Sequence, residues 1–187
     1  PKLAPAVEKL AGPVVRDVLF LQPTDLVQRR LATTADAQDG EVATFAVTVV
    51  QHTPPGRPGQ PWRIRCLDPD GPLLLVYFNT RGGSFAHAHP QGALRVVSGK
   101  VERNSYDGLW QIAHPDYLLP PERAAEVPAV EPVYPGTATL GSRAVRKLAE
   151  AALARAPDLP EWLDVGFLGQ QGWPAWRPAL SALHGPG

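Results

Sequence analysis

Five short strand-type segments follow one another between residues 41 and 118, and that cadence constrains the fold more than any other feature of the chain. EVATFAVTVVQ (41–51) sets Val42, Thr44, Ala46 and Thr48 on one face and Ala43, Phe45, Val47 and Val49 on the other. This is the period-two pattern of a strand packed on a core. A Pro/Gly-rich loop, HTPPGRPGQP (52–61), leads into WRIRCLD (62–68), where Trp62, Ile64 and Cys66 oppose Arg63 and Arg65. DPDG (68–71) is a turn by composition. PLLLVYFN (72–79) is a third strand that stops on two aromatics and an amide. GALRVVSGKVER (92–103) is a fourth, with Gly99 marking a bulge or bend. NSYDG (104–108) turns the chain into a fifth, LWQIAHPDY (109–117).

Three strands in meander, a less regular 80–91 segment and a glycine bend match a small five-stranded Greek-key barrel, the OB-fold. Residues 41–118 are therefore assigned to the barrel. Residues 1–31 read as a helical segment, with Leu3, Val7 and Leu10, then Val14, Val18, Leu19 and Leu21, on either side of Gly12-Pro13. Residues 119–141 are rich in proline and net acidic, which predicts an extended linker wrapping the barrel without ladder hydrogen bonds. Residues 142–187 read as a second helical segment. Its strongest piece is SRAVRKLAEAALARA (142–156), with Ser142 as N-cap and Val145, Leu148, Ala152 and Leu153 on one stripe. The expected class is α+β: a five-stranded OB-fold barrel flanked by N-terminal and C-terminal helices.

Composition narrows the function. The 187 residues carry 18 basic and 18 acidic side chains, so nucleic-acid binding cannot rest on bulk charge and needs a local patch. Such a split exists: residues 57–107 hold seven Lys/Arg against four acids, whereas 116–131 hold four acids against one Arg. A single cysteine, Cys66, rules out an internal disulfide framework and a cysteine-based zinc knuckle. His87 and His89 share one side of an extended segment, and with His114 and Cys66 they raise a zinc reading. No second cysteine or acidic pair stands at ligand spacing, and no metal site is expected. No phosphate loop, nucleophile elbow or carboxylate cluster is present, so no catalytic residue is assigned. No run of about 18 apolar residues exists to span a membrane. The chain lacks methionine and starts at Pro1, which suggests a piece excised from a longer protein.

The candidate site lies where strand three ends. An aromatic ring with a cation beside it is the chemistry that grips an unstacked base, and Phe78-Asn79 followed by Arg81-Gly82-Gly83 supplies both. The competing reading makes Phe78 a core residue and Arg81 a solvated one. Arg57, Arg63 and Arg65 on the first hairpin, with Arg95, Lys100 and Arg103 on strand four, are candidate phosphate contacts. Tyr106 in the following turn is a candidate ring.

The segments DVLFLQPTDLVQRR (17–30), VYFN (76–79), SGKVER (98–103), GLWQIAHPDY (108–117), EPVYP (131–135), LGSRAVRKLAEAAL (140–153) and LPEWL (159–163) occur in an order that resembles the N-terminal wedge domain of the RecG-type branch-migrating DNA helicases. The resemblance runs over nearly the whole chain. It implies an OB-fold wedge at the branch point of a replication fork or Holliday junction, where it splits the duplex arms. The ring at Phe78 would stack on a base where the strands part. Some family members carry a second aromatic four residues later; Gly82 stands there in this sequence, leaving Phe85 or Tyr106 as replacements. The expected partner is branched DNA, with single-strand DNA-binding protein as a further one, and a monomer in the bacterial cytoplasm is expected. No cofactor is expected in this piece; ATP and magnesium would belong to the parent's motor domains, and ATP hydrolysis with them. Two other classes fit the same barrel: a protein-interaction module that holds a peptide tail, and a generic single-stranded DNA binder.

Overall fold

The alternation of residues 41–118 closes into a barrel in the computed structural model, which describes residues 3–78 and 82–185. In chain order the elements begin with helices α1 (Ala4–Leu10) and α2 (Val15–Leu19) and strands β1 (Asp25–Gln28), β2 (Arg30–Leu31), β3 (Val42–Thr53), β4 (Trp62–Leu67) and β5 (Pro72–Tyr77). Helix α3 (Gly82–Ala88) is followed by β6 (Leu94–Arg103), β7 (Trp110–Ala113), β8 (Tyr117–Leu119), a 3-10 turn (Pro121–Glu126) and β9 (Val130–Val133). Helices α4 (Ser142–Arg155), α5 (Val165–Gln171) and α6 (Trp176–His184) complete the chain. Two units form: residues 29–129, and residues 1–28 together with 130–187.

In the first unit the barrel runs β3-β4-β5-β7-β6 and returns to β3. The β5–β7 pair is parallel, and the other four pairs are antiparallel. This closed, five-stranded mixed barrel is an OB-fold. The long β3 makes closure possible: residues 42–48 pair with β6, and residues from Thr48 onward pair with β4. Sequence alternation places Ala43, Phe45, Val47, Val49, Trp62, Ile64, Cys66, Leu73, Leu75, Val97, Val101, Trp110 and Ile112 in one core. Burying such side chains contributes on the order of 1.5–3 kcal/mol each before chain entropy is subtracted.

Two short strands extend the sheet, β2 beside the start of β3 and β8 beside β6. Arg29 locks this region. Its buried guanidinium donates to Ser98 Oγ at 3.1 Å and Asp116 Oδ2 at 2.9 Å, and lies 5.0 Å from the Tyr117 ring centre. With one terminal nitrogen donating to both a carboxylate and a hydroxyl, the charge is tolerated inside the fold.

Several expectations need correction. Residues 25–31 form β1 and β2 instead of continuing a helix. The 119–141 stretch is not a linker without ladder bonds, because β9 pairs antiparallel with β1 from Asp25↔Val133 to Gln28↔Val130. Within the β1–β9 ladder the proline is Pro132, opposite Leu26, on a two-stranded ribbon whose outer edges need no donor. Residues 82–88 are helical, although GGSFAHA carries no helix pattern. Gly99 does not bulge against β3: it pairs with Ala43 in an unbroken register, and the shift occurs between Val49 and Gln51. Ser142 is the first residue of α4 and Gly141 is its N-cap; the Ser142 hydroxyl instead accepts the Tyr134 N–H at 2.9 Å.

In the second unit α2 packs on α4, with Val18, Tyr134, Leu140, Val145 and Ala149 in a small core. His184 is buried: its Nδ1 meets the Tyr134 hydroxyl at 2.6 Å, and its Nε2 donates to Leu19 O at 2.8 Å. Among the described residues no helix is long and apolar enough to cross a membrane.

Candidate nucleic-acid interface

Strand β5 divides its last aromatics between the two sides of the barrel wall. Tyr77 follows the parity of Leu73 and Leu75 and packs on the core. Helix α3 closes this mouth with Phe85, whose ring meets Tyr77 at 4.6 Å, His89 at 5.3 Å and Trp62 at 6.0 Å, all edge-on. Trp62 Nε1–H donates to His52 Nδ1 at 3.0 Å, which leaves His52 Nε2–H to donate to His89 O at 2.7 Å. Burial pushes the Tyr77 phenol above its ordinary value. These rings are internal furniture of the mouth.

Phe78, one residue further, takes the opposite parity and is 46% exposed. It is braced by His114, which follows β7, the parallel neighbour of β5. The His114 N–H donates to Val76 O at 2.8 Å, and the Phe78 N–H donates back to His114 Nε2 at 3.1 Å. The two rings meet at 5.8 Å with their planes 32° apart. His114 adopts φ 47°, the one left-handed residue other than glycine among the described residues. An exposed aromatic held by its backbone at the end of a rigid strand is suited to stack against a flat ligand.

The predicted residues fall into two groups. Arg63 is opposite Val76 and Arg65 opposite Leu74, on the outer face whose parity Phe78 continues. Arg57 is exposed in the β3–β4 loop at the same end of the sheet. None of these three has a carboxylate partner among the described residues. Asn79 and Arg81 lie outside the described residues.

Arg103 and Tyr106 belong to the other end. Leu73 is opposite Trp110 and Val76 opposite Ala113, so the β6–β7 turn and Phe78 are separated by the length of the β5–β7 pair. At roughly 3.3 Å per residue that is on the order of 16 Å. Tyr106 is 98% exposed but does not share a clamp with Phe78. The Arg103 guanidinium lies 4.0 Å from the Trp110 ring centre and donates to Gly108 O at 2.7 Å. Phe85 is likewise spent on the mouth. Lys100 pairs with Glu102 at 3.0 Å, and Arg95 donates to His89 Nδ1 and the Ala88 and Leu94 carbonyls. Both side chains thus have partners within the fold.

Among the described residues the four groups behind the zinc reading do not gather. Cys66 is fully buried among core side chains, where burial pushes its thiol up to about 12. His89 is engaged by Arg95, and no group of three His, Cys, Asp or Glu gathers among the described residues. His114, weighed in the sequence only as a metal ligand, is instead the residue that the structure sets beside Phe78. A histidine before Pro115 announces nothing about an unusual backbone, because proline disfavours helical geometry in its predecessor without requiring the left-handed one.

His89 sets a pH dependence. Burial first, then the Arg95 charge and His52, lower its pKa below the ordinary 6.5. Its neutral form is native, so unfolded chains bind the proton more readily. The associated stability is fully present above pH 6.5 and is lost as the pH falls through the depressed native value. Acidification from pH 7.5 to 5 is expected to lower the protection of α3 and the 89–93 connection, relative to the intrinsic exchange rate at each pH, before that of the core strands. Equal protection at both pH values in hydrogen-exchange mass spectrometry would contradict this.

No protein-family model matches the sequence. No curated protein matches it either. Among solved structures, the chain is similar to RecG bound to a three-way DNA junction, with a TM-score of 0.76 and 21% identity over 97% of this chain. At that identity the likeness is one of fold. The match covers 25% of the RecG chain, so this chain spans about a quarter of its length.

Proposed function

We propose that this chain is the branched-DNA-binding wedge of a RecG-type helicase, the element that parts duplex arms at a fork or Holliday junction. The reading is carried by the exposed Phe78 ring at the end of β5, on a fold that matches, over nearly its whole length, part of a RecG chain solved with a three-way junction. Phe78 stacks on a nucleobase at the point of divergence. Arg57, Arg63 and Arg65, together with Asn79 and Arg81, meet the adjacent phosphates. Arg103 and Tyr106, at the far end, contact a different stretch of the same branched substrate. Losing one base step costs about 1.4 kcal/mol of stacking. A protein ring returns a comparable amount, so the wedge stabilises separated strands without driving separation. ATP hydrolysis supplies the drive in the parent helicase.

The neutral net charge makes this binding local and modest. Phosphate contacts by Arg57, Arg63, Arg65 and Arg81 predict a salt slope of roughly −3.6 in log affinity against log salt, at about −0.9 per phosphate neutralised. Titrating a labelled three-way junction, a duplex of equal length and a single strand from 50 to 200 mM salt, roughly the range where such contacts weaken, tests the reading. Tighter binding of the junction at every salt is expected. Equal affinity for junction and duplex removes the branch-point role, and a preference for the single strand converts the chain into a generic binder. Competition by an acidic peptide with no response to DNA would favour the interaction module.

A further inference from the structure

Resting on the wedge reading, we propose that His114, the residue after β7, is a second nucleic-acid contact beside Phe78. Three observations converge on it. First, its ring is contiguous with that of Phe78, 5.8 Å between centres and tilted by 32°, and both residues are exposed. The pair forms a shelf with each residue exposed, and the His114 ring is backed edge-on by Tyr77 at 5.9 Å. Second, the hydrogen bond from Phe78 N–H fixes Nε2 as the acceptor. The neutral imidazole must then carry its proton on Nδ1, which has no partner among the described residues. A donor is thus left beside the stacking ring for an acceptor oxygen or nitrogen of the bound nucleotide. Third, His114 is held at φ 47°. A left-handed residue that is not glycine is uncommon, and such backbone costs persist where the surrounding structure enforces them, often at binding sites. Here the two hydrogen bonds with β5 enforce it.

The shelf differs from a two-sided clamp. Rings on one surface support neighbouring bases, or one base and its sugar edge, without enclosing either. Phe78 would contribute stacking alone, and His114 stacking plus one hydrogen bond.

The test uses this chain with His114→Asn, which removes the ring while tolerating the left-handed backbone. A three-way junction carries 2-aminopurine at the branch nucleotide, and Phe78→Ala and the double variant complete a cycle. His114→Asn is expected to weaken junction binding by at least roughly 5-fold, equivalent to about 1 kcal/mol, and to relieve part of the 2-aminopurine quenching. The double variant should bind more weakly than Phe78→Ala alone. A double variant equal to Phe78→Ala would reduce His114 to a support for Phe78 and overturn the contact, as would wild-type binding by His114→Asn. Should His114→Asn fail to fold, NMR of the unmodified chain decides: His114 ring protons should shift upfield with the junction and not with plain duplex, and an unmoved signal overturns the proposal. Loss of any Phe78→Ala effect would instead sink the wedge reading itself, so the two failures are distinguishable.

Discussion

Phe78→Ala lowers affinity for a three-way junction by between about 5- and 150-fold, the equivalent of the roughly 1–3 kcal/mol carried by one base–aromatic stack. Affinity for plain duplex stays near its original value. The ring is 46% exposed and its recorded ring partner is His114, so the fold loses little. A change within about 1 kcal/mol is expected, a melting shift of roughly 2–4 °C for a chain of this size. The neighbouring substitution supplies the control. Tyr77 packs into the core and against Phe85, and Tyr77→Ala should cost about 3 kcal/mol by leaving a cavity. Because Tyr77 also meets His114 edge-on at 5.9 Å, the contrast between the two variants is read in stability, a large loss for Tyr77→Ala and a small one for Phe78→Ala. The measurements are fluorescence anisotropy on the junction and a urea melt on both variants. A large stability loss in Phe78→Ala with no junction-specific effect would return the ring to the core and remove the wedge.

Gly99→Ala is the second large effect, and it concerns the barrel. Strand β6 pairs with β8 through Val96, Val97 and Ser98, then with β7 from Val101 onward. Where it changes partner, the chain between β7 and β8 passes close over it. A Cβ at residue 99 would stand 2.7 Å from Ile112 Cγ2 and 3.2 Å from Pro115 Cα. Ile112 is fully buried and Pro115 offers backbone, so neither gives way freely. Such overpacking costs about 1–3 kcal/mol, and about 2 kcal/mol is expected, read as a lower urea midpoint at unchanged slope. Ile112→Ala makes room, so the double variant should be less damaged than the two single losses combined. Strict additivity, or a Gly99→Ala chain as stable as the original, would show that glycine is not required by this approach.

The displacement of the glycine's role shows where sequence reading stops. Its presence inside a strand marked a special place, but a bulge and a close crossing look alike in one dimension. The irregularity in register fell at Val50, on a run of β-branched residues with no turn chemistry. Helix α3 was equally hidden. Nothing in GGSFAHA favours a helix, and Phe85 is held at the barrel mouth by Trp62 and Tyr77, residues distant in sequence. Strands β1 and β9 lie on opposite sides of a hundred intervening residues, so their pairing left no local trace.

Alternation along 41–118 determined the barrel strands and their inner faces, because a half-buried strand must repeat every two residues whatever its partner. In the unbroken apolar run PLLLVYF alternation is silent, and the sequence left Phe78 open between core and surface until the structure turned its ring outward. Which ring stands beside Phe78 was decided only in three dimensions. Parallel pairing of β5 with β7 brings His114 within hydrogen-bond reach of an amide 36 residues away, and local propensity carries no information about that distance.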